Sequence, residues 1–146
     1  MLSDRQRRER EYYDRYSQLG DASFHVDLAP VQGGETRPWN SYWFFYQRVR
    51  ELRSTRDQRL LDFGCGPGNA TVLYATLGYD VCGFDISPNN VDHARRRAER
   101  YGLTDRVQLH VGVAEELPYP NDHFDIVAGI DVLHHVDIPR AVVECR

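Results

Sequence analysis

The chain has 146 residues, of which 41% are hydrophobic and 27% charged, as is typical of a single globular domain. No apolar run is long enough to cross a bilayer, and the charged N-terminal stretch lacks the apolar centre of a signal peptide. The net charge of -4 argues against a general nucleic-acid-binding protein. All 18 basic residues are arginines, which excludes lysine Schiff-base chemistry and a P-loop lysine. These features predict a cytoplasmic protein with neither a membrane nor a nucleic-acid partner.

The N-terminal part of the chain is predicted to contain two helices and a loop. Residues 4–19 carry a helical pattern rich in charge and tyrosine, whereas the glycines and proline over 20–37 are typical of a loop. Apolar residues recur at helical spacing over 39–54. We therefore expect residues 1–57 to form an N-terminal helical cap or lid, and residues 58–146 to form the ligand-binding domain.

The second part of the chain alternates between strand and helix. Four short apolar runs are typical of parallel strands covered on both faces. They lie at 59–63, 80–85, 107–111 and 124–130. Helical stretches follow the first two runs, at 68–77 and from an N-cap at Ser87 to about Tyr101. This alternation predicts an α/β fold with a doubly wound parallel sheet.

A glycine-rich turn follows the first predicted strand. Gly64, Gly66 and Gly68 allow a tight turn and let the backbone approach a ligand closely. Asp85 ends the second strand about twenty residues later, where a carboxylate can accept hydrogen bonds from ribose hydroxyls. Each feature alone also fits a strand-to-helix turn or a helix cap. Together they predict a nucleoside-containing ligand in the crevice at the carboxyl ends of the strands.

The spacing of the glycines distinguishes two kinds of nucleoside cofactor. Dinucleotide-binding proteins carry G-x-G-x-x-G, whose third glycine would fall at Asn69. This chain has G-x-G-x-G instead, and the acidic Asp62 precedes it. A carboxylate at that position is unfavourable for a pyrophosphate but compatible with a zwitterionic amino acid that carries a sulfonium. An NAD-dependent oxidoreductase is therefore the weaker alternative.

Several segments, in order along the chain, resemble the motifs of class I S-adenosylmethionine-dependent methyltransferases. They lie at 60–68, 83–88, 114–119, 124–127 and 133–136. The resemblance covers about residues 59–136 and therefore more than half of the chain. It implies a Rossmann-like sheet with strand order 3-2-1-4, S-adenosyl-L-methionine as cofactor, and transfer of its sulfonium methyl group to a small-molecule acceptor.

The resemblance also implies which residues hold the cofactor. The glycine turn would pass beneath the methionine part, and Asp62 would help to position the amino-acid end. Asp85 would hold the ribose, and Ile86 would pack on the adenine. Ala114 would present its backbone to the adenine, and Ile130 would lie near the sulfur. The full set is Asp62, Gly64, Cys65, Gly66, Gly68, Asp85, Ile86, Ala114, Glu115 and Ile130.

Two positions depart from the family pattern. The family often has aspartate where this chain has Val113, so the adenine contact would fall to backbone, Glu115 or water. It often has asparagine or a small polar residue where this chain has Ile130. The stretch 129–132 is also not an N/D-P-P-Y segment, which argues against DNA-adenine and glutamine acceptors.

The length of the chain is a further departure. Family domains continue through a fifth strand and an antiparallel pair, whereas this chain stops inside or just after the helix that follows the fourth strand. We therefore expect a truncated domain whose fourth strand is an exposed apolar edge that favours self-association. We expect this truncated domain to retain cofactor binding even where it has lost methyl transfer. A non-catalytic cofactor-binding or interaction module of the same fold is accordingly an alternative function.

The acceptor side is the least specified by the sequence, and no catalytic residue is assigned. Tyr12, Tyr13, Trp39 and Tyr42 are candidates for contacting the sulfonium or the acceptor, although packing against the sheet is at least as good an interpretation for most of them.

The histidines and cysteines yield no further site. Either His134 or His135 could act as a general base, but packing or loop hydrogen bonding is the favoured interpretation. The three cysteines form no CxxC pair, and the histidines show no metal-binding spacing, so no metal is expected.

Overall fold

The computed structural model describes residues 1–18, 24–33, 37, 39–40 and 42–146. The helices are α1 (Asp4–Gln18), α2 (Ala29–Gln32), α3 (Trp43–Glu51), α4 (Asn69–Thr76), α5 (Pro88–Arg100) and α6 (Ile138–Val143). The strands are β1 (Arg59–Phe63), β2 (Asp80–Asp85), β3 (Val107–Val111) and β4 (Ile126–Ala128). The predictions that concern residues 19–23, 34–36, 38 and 41 fall outside the described residues.

The strands form a parallel sheet in the order β3-β2-β1-β4, which confirms the predicted fold class. Leu60 of β1 pairs with Val81 of β2 on one side and with Ile126 of β4 on the other. Phe63, the last residue of β1, pairs with Phe84 near the end of β2. The turn that follows β1 and the carboxylate that ends β2 therefore meet at the same edge of the sheet.

Both faces of the sheet are covered, as continuous apolar strands require. Successive residues of a strand point to opposite faces. Leu60 accordingly belongs to one buried cluster, with residues of α3 and α4, while Leu61 and Phe63 belong to a second cluster that includes Ala141 of α6. This alternation explains why β1 is buried at every position after Arg59.

Helix α5 begins and ends where the sequence predicts. Ser87 is its N-cap and accepts a hydrogen bond from the Asn90 N–H at 3.1 Å, and Pro88 occupies the first turn. The helix ends just before Gly102, which has a φ of 66°. Because Ser87 serves as the cap, Asp85 is left for another role.

The predicted loop over 20–37 is wrong in part, because it contains the one-turn helix α2. Pro30 lies in the first turn, where its missing N–H is tolerated, and Gly33 follows the last residue with a φ of 74°. Two of the residues that suggested a loop, Pro30 and Gly33, therefore lie at the start and just after the end of a short helix. Its Val31 is buried in the same cluster as Leu60.

The second helix and the fourth strand are shorter than predicted. Helix α3 spans Trp43–Glu51 rather than 39–54, and β4 spans Ile126–Ala128 rather than 124–130. Phe124 packs into the second apolar cluster outside the ladder, and Ile130 packs against the first cluster, also outside the ladder. Helix α3 contributes Val49 to the same buried cluster as Leu60 of β1. The division of the chain into two parts at residue 57 stays a prediction.

The sheet edge at β4 is partly accessible, since the Val127 side chain is 40% exposed. Self-association through this edge stays a prediction. In the part of the chain that the structure describes, no helix combines the length and apolarity that a bilayer span requires.

Candidate functional site

The turn between β1 and α4 brings its backbone to the carboxyl edge of the sheet. Gly64 and Gly66 have φ values of 75° and 51°, which residues with a Cβ rarely adopt. The Cys65 N–H donates to the Phe84 carbonyl at 2.8 Å and so fixes the turn against the end of β2. A Cβ added at Gly66 would find no heavy atom within 4 Å, so this backbone faces open space that a ligand can enter.

The Asp85 carboxylate lies beside this turn. Its Oδ2 accepts from the Gly66 N–H at 3.0 Å, and its Oδ1 accepts from the Ser87 N–H at 2.9 Å and the Asn90 amide at 3.1 Å. Burial raises the pKa of Asp85, while these three hydrogen bonds act in the opposite direction. Two carboxylate oxygens offer about four acceptor positions, so a hydroxyl of a bound molecule can still donate to Asp85.

A cavity of about 230 Å³ opens where the turn and Asp85 meet helix α1. Most of the predicted cofactor-binding residues line it. They are Gly64, Gly66, Asp85, Ile86, Ala114, Glu115 and Ile130. The structure thus brings together residues that follow all four strands, as expected for a ligand site of a doubly wound sheet.

The other three predicted residues, Asp62, Cys65 and Gly68, are not in the cavity wall. Asp62 is buried and accepts a hydrogen bond from the Thr71 hydroxyl of α4 at 2.6 Å. Cys65 is also buried, and burial raises the pKa of its thiol. Gly68 packs against α5. All three residues therefore lie outside the cavity wall, next to or within the glycine turn. A contact of any of them with a cofactor stays a prediction.

The buried Asp62 makes stability depend on pH. Burial raises its pKa from 3.8 to about 7, despite the opposing Thr71 hydrogen bond. Between these two values the native state keeps a proton that the unfolded chain releases. The contribution of Asp62 to the free energy of unfolding is therefore expected to be largest below pH 3.8 and to fall as the pH rises to about 7.

Asp62→Asn tests this pH dependence, because asparagine resembles the neutral acid and can still accept from Thr71. In the wild type, the free energy of unfolding measured with urea should decline by as much as about 1.4 kcal/mol per pH unit because of Asp62. In the variant this part of the decline should be absent. Asp80→Asn is the matched control, because Asp80 is half-exposed in an ion pair with Arg106. Equal slopes in the wild type and Asp62→Asn would contradict the account.

Helix α1 forms the wall opposite the sheet. Gln6, Glu9, Tyr13 and Tyr16 line the cavity. They are three, four and three positions apart, so they share one helix face. Of these four residues, only Tyr13 was identified from the sequence as a candidate for contacting the sulfonium or the acceptor. The common spacing of the four is the signal that could have identified the whole face.

Several polar contacts hold α1 over the site. Arg5 forms an ion pair with Glu115, and the Gln6 amide donates to the same carboxylate at 3.0 Å. Burial alone would raise the pKa of Glu115, but hydrogen bonds from Asp137, Arg5 and Gln6 lower it overall. Further along the helix, Asp14 accepts a hydrogen bond from the Ser87 hydroxyl. The carboxylate of Glu115, predicted to contact adenine, is thus engaged mainly with α1.

Of the tyrosine, tryptophan and histidine side chains that were candidates for contacting the acceptor, some line the cavity and others are exposed. Tyr13 and His135 line the cavity, whereas His134 is exposed. Tyr12 and Trp39 are largely exposed. The Tyr42 hydroxyl donates to Asp131, another residue of the cavity wall.

The described residues offer no cluster of side chains that could bind a metal ion. Among the described residues, no group of three or more histidine, cysteine or acidic side chains is arranged to hold a metal ion. Cys65, Cys82 and Cys145 are free thiols.

Comparisons with known proteins agree with this geometry. Residues 61–146 match the family described as "Methyltransferase domain". The chain is 42% identical over 89 residues to a ubiquinone biosynthesis O-methyltransferase of Cereibacter sphaeroides, covering 60% of this chain and 35% of that protein. It is 39% identical over 83 residues to ajmaline N-methyltransferase of Rauvolfia serpentina, covering 56% and 28%. The chain thus spans about a third of the length of such curated relatives.

A solved structure shares the fold over nearly the whole chain. It is a geranyl diphosphate C-methyltransferase of Streptomyces coelicolor A3(2), in complex with Mg²⁺, geranyl diphosphate and S-adenosyl-L-homocysteine. The TM-score is 0.70 at 18% identity, with 99% of this chain and 60% of that chain covered. With the family match extending over more than half of its length, the chain belongs to the class I S-adenosylmethionine-dependent methyltransferases.

Proposed function

We propose that this protein transfers the methyl group of S-adenosyl-L-methionine to a small-molecule acceptor. The observation that carries the proposal is the Asp85 carboxylate, held beside the Gly66 backbone in a cavity at the carboxyl ends of β1 and β2. The acceptors named for the relatives are those proteins' own, and their O-, N- and C-methyl transfer leaves the atom methylated here to experiment.

The residues present fit such a cofactor. Asp85 has acceptor capacity left for a ribose hydroxyl, and Gly66 faces open space in which the amino-acid part can lie against the backbone. Ile86 offers an apolar surface for the adenine, and Ala114 lies across the cavity from the turn. Ile130, after β4, would then lie on the methyl-donor side.

The cofactor supplies an already activated methyl group, so the protein mainly has to hold and align the acceptor. Helix α1 lines the cavity on the side opposite the sheet and covers it there. The ion pair between Arg5 and Glu115 holds that helix in place. A cavity of about 230 Å³ suits a small molecule rather than a polymer, which supports a small-molecule acceptor.

The alternative is a non-catalytic cofactor-binding module of the same fold. A measurement of methyl transfer distinguishes this module from a methyltransferase. The full chain would be incubated with S-adenosyl-L-methionine labelled in the methyl group and a panel of phenols, amines and carboxylic acids. We expect label transfer to at least one member, and loss of that transfer in Asp85→Ala. Binding of S-adenosylhomocysteine without transfer to any member would favour the non-catalytic module.

A further inference from the structure

Three polar side chains in the cavity wall form one hydrogen-bonded series. The Tyr13 hydroxyl lies 2.8 Å from His135 Nε2, and His135 Nδ1 lies 3.1 Å from a Glu9 carboxylate oxygen. Tyr13 and Glu9 are on the inner face of α1, while His135 ends the single 3-10 turn that follows β4. All three line the same cavity as Asp85. The series therefore connects the cofactor side of the sheet with the covering helix.

The direction of each hydrogen bond follows from the chemistry of the groups. A carboxylate can only accept, so His135 Nδ1 carries the hydrogen that points to Glu9, and in the neutral imidazole Nε2 then has a free lone pair. Burial raises the pKa of Tyr13, and the negative charges of Glu9, Asp85 and Asp131 raise it further. Tyr13 therefore keeps its proton at neutral pH and donates it to Nε2.

We propose that Tyr13, His135 and Glu9 remove the proton of a neutral hydroxyl acceptor during methyl transfer, which would make the protein an O-methyltransferase. This inference rests on the proposed function and adds the acceptor class and the residues that accept its proton. The hydroxyl would donate to the Tyr13 oxygen, which is the member of the series that contacts the acceptor. Glu9 holds the imidazole in the tautomer that leaves Nε2 free to accept.

The proton transfers balance the methyl transfer. The acceptor oxygen forms a bond to the methyl carbon, and the carbon–sulfur bond breaks with its electron pair on sulfur. The acceptor O–H proton moves to the Tyr13 oxygen as the tyrosine proton moves to His135 Nε2. The positive charge lost from the sulfonium then resides on the imidazolium, beside the Glu9 carboxylate.

A hydroxyl needs this series more than an amine does. A neutral hydroxyl is a poor nucleophile until its proton is removed as the new bond forms. An amine can lose its proton to water before it binds and then attack with its lone pair. Of the groups beside the series, Arg5 donates to the His135 carbonyl and His134 is exposed, so neither of these two competes with His135 for the proton.

The test compares two acceptors of different acidity, catechol and 4-nitrocatechol, whose nitro group ionises a hydroxyl near neutral pH. His135→Gln can still accept from Tyr13 but cannot take up a proton, and Tyr13→Phe interrupts the series at its first member. Both variants should lower kcat for catechol by about 100-fold or more, with a much smaller loss for 4-nitrocatechol. His134→Gln and Tyr12→Phe are the matched controls, because neither residue lines the cavity.

Calorimetry with S-adenosylhomocysteine separates this inference from the proposed function. Both variants should bind it within about threefold of the wild type, because neither removes the ribose contact. Equal losses of kcat for both catechols, a loss expressed only in KM, or a wild type that binds S-adenosylhomocysteine but methylates neither catechol would overturn the inference alone. A wild type that does not bind S-adenosylhomocysteine would overturn both.

Discussion

Replacing Asp85 by alanine is expected to weaken the binding of S-adenosylhomocysteine at least tenfold. The carboxylate is placed to accept a hydrogen bond from a ribose hydroxyl, and a hydrogen bond to a charged group contributes about 1.5–3 kcal/mol. Loss of about 1.4 kcal/mol already corresponds to a factor of ten in the dissociation constant. The same change leaves the Gly66 and Ser87 N–H groups without their acceptor, so the turn loses rigidity as well.

The matched control for this variant lies at the other end of the same strand. Asp80→Asn removes a carboxylate of β2 that is half-exposed and far from the turn, and it should leave the affinity unchanged. Thermal unfolding of both variants would establish that they are folded. A folded Asp85→Ala protein that binds S-adenosylhomocysteine as tightly as the wild type would show that Asp85 does not hold the ribose.

Gly68→Ala is expected to cost about 2–5 kcal/mol of the free energy of unfolding, from backbone strain and overpacking combined. Gly68 has a φ of 89°, which alanine adopts only with strain. The added Cβ would also lie 2.5 Å from Ala94 Cα, which is backbone of α5 and cannot rotate away. Urea unfolding monitored by circular dichroism measures the effect.

Gly102→Ala separates strain from crowding. Gly102 has a φ of 66°, but an added Cβ there would find no heavy atom within 4 Å. This variant should therefore lose only about 1–2 kcal/mol, the cost of the left-handed backbone conformation. If both variants lost the same amount, close packing of the glycine turn against α5 would not be the reason for glycine at position 68.

The sheet could be predicted from the sequence because its signals are local. Leu60 and Leu61 face opposite sides, so an apolar run there indicated a strand covered on both faces. Ser87 and Pro88 marked the start of α5 in the same way. The end of β4 could not be predicted, because Ile130 continues the apolar run but packs against the first cluster outside the ladder.

The cofactor side of the site was predictable and the helix opposite it was not. Gly66 and Asp85 meet because parallel strands end at one edge, a consequence of topology alone. The contacts that α1 makes with the site join residues at least 73 positions apart, such as Asp14 with Ser87 and Tyr13 with His135. No local pattern encodes such a pair. Asp62 illustrates a third case, since its residue type suggested a ligand contact while its burial depends on packing of α4.

Calorimetric titration of the chain with S-adenosylhomocysteine, and separately with NAD, tests the central claim most directly. The account predicts that S-adenosylhomocysteine binds one site per chain with a dissociation constant on the order of micromolar, about -8 kcal/mol, and that NAD does not compete for it. The glycine spacing and the Asp85 carboxylate both favour this outcome. Binding of NAD without binding of S-adenosylhomocysteine would contradict the assignment of the cavity to the methyl-donor cofactor.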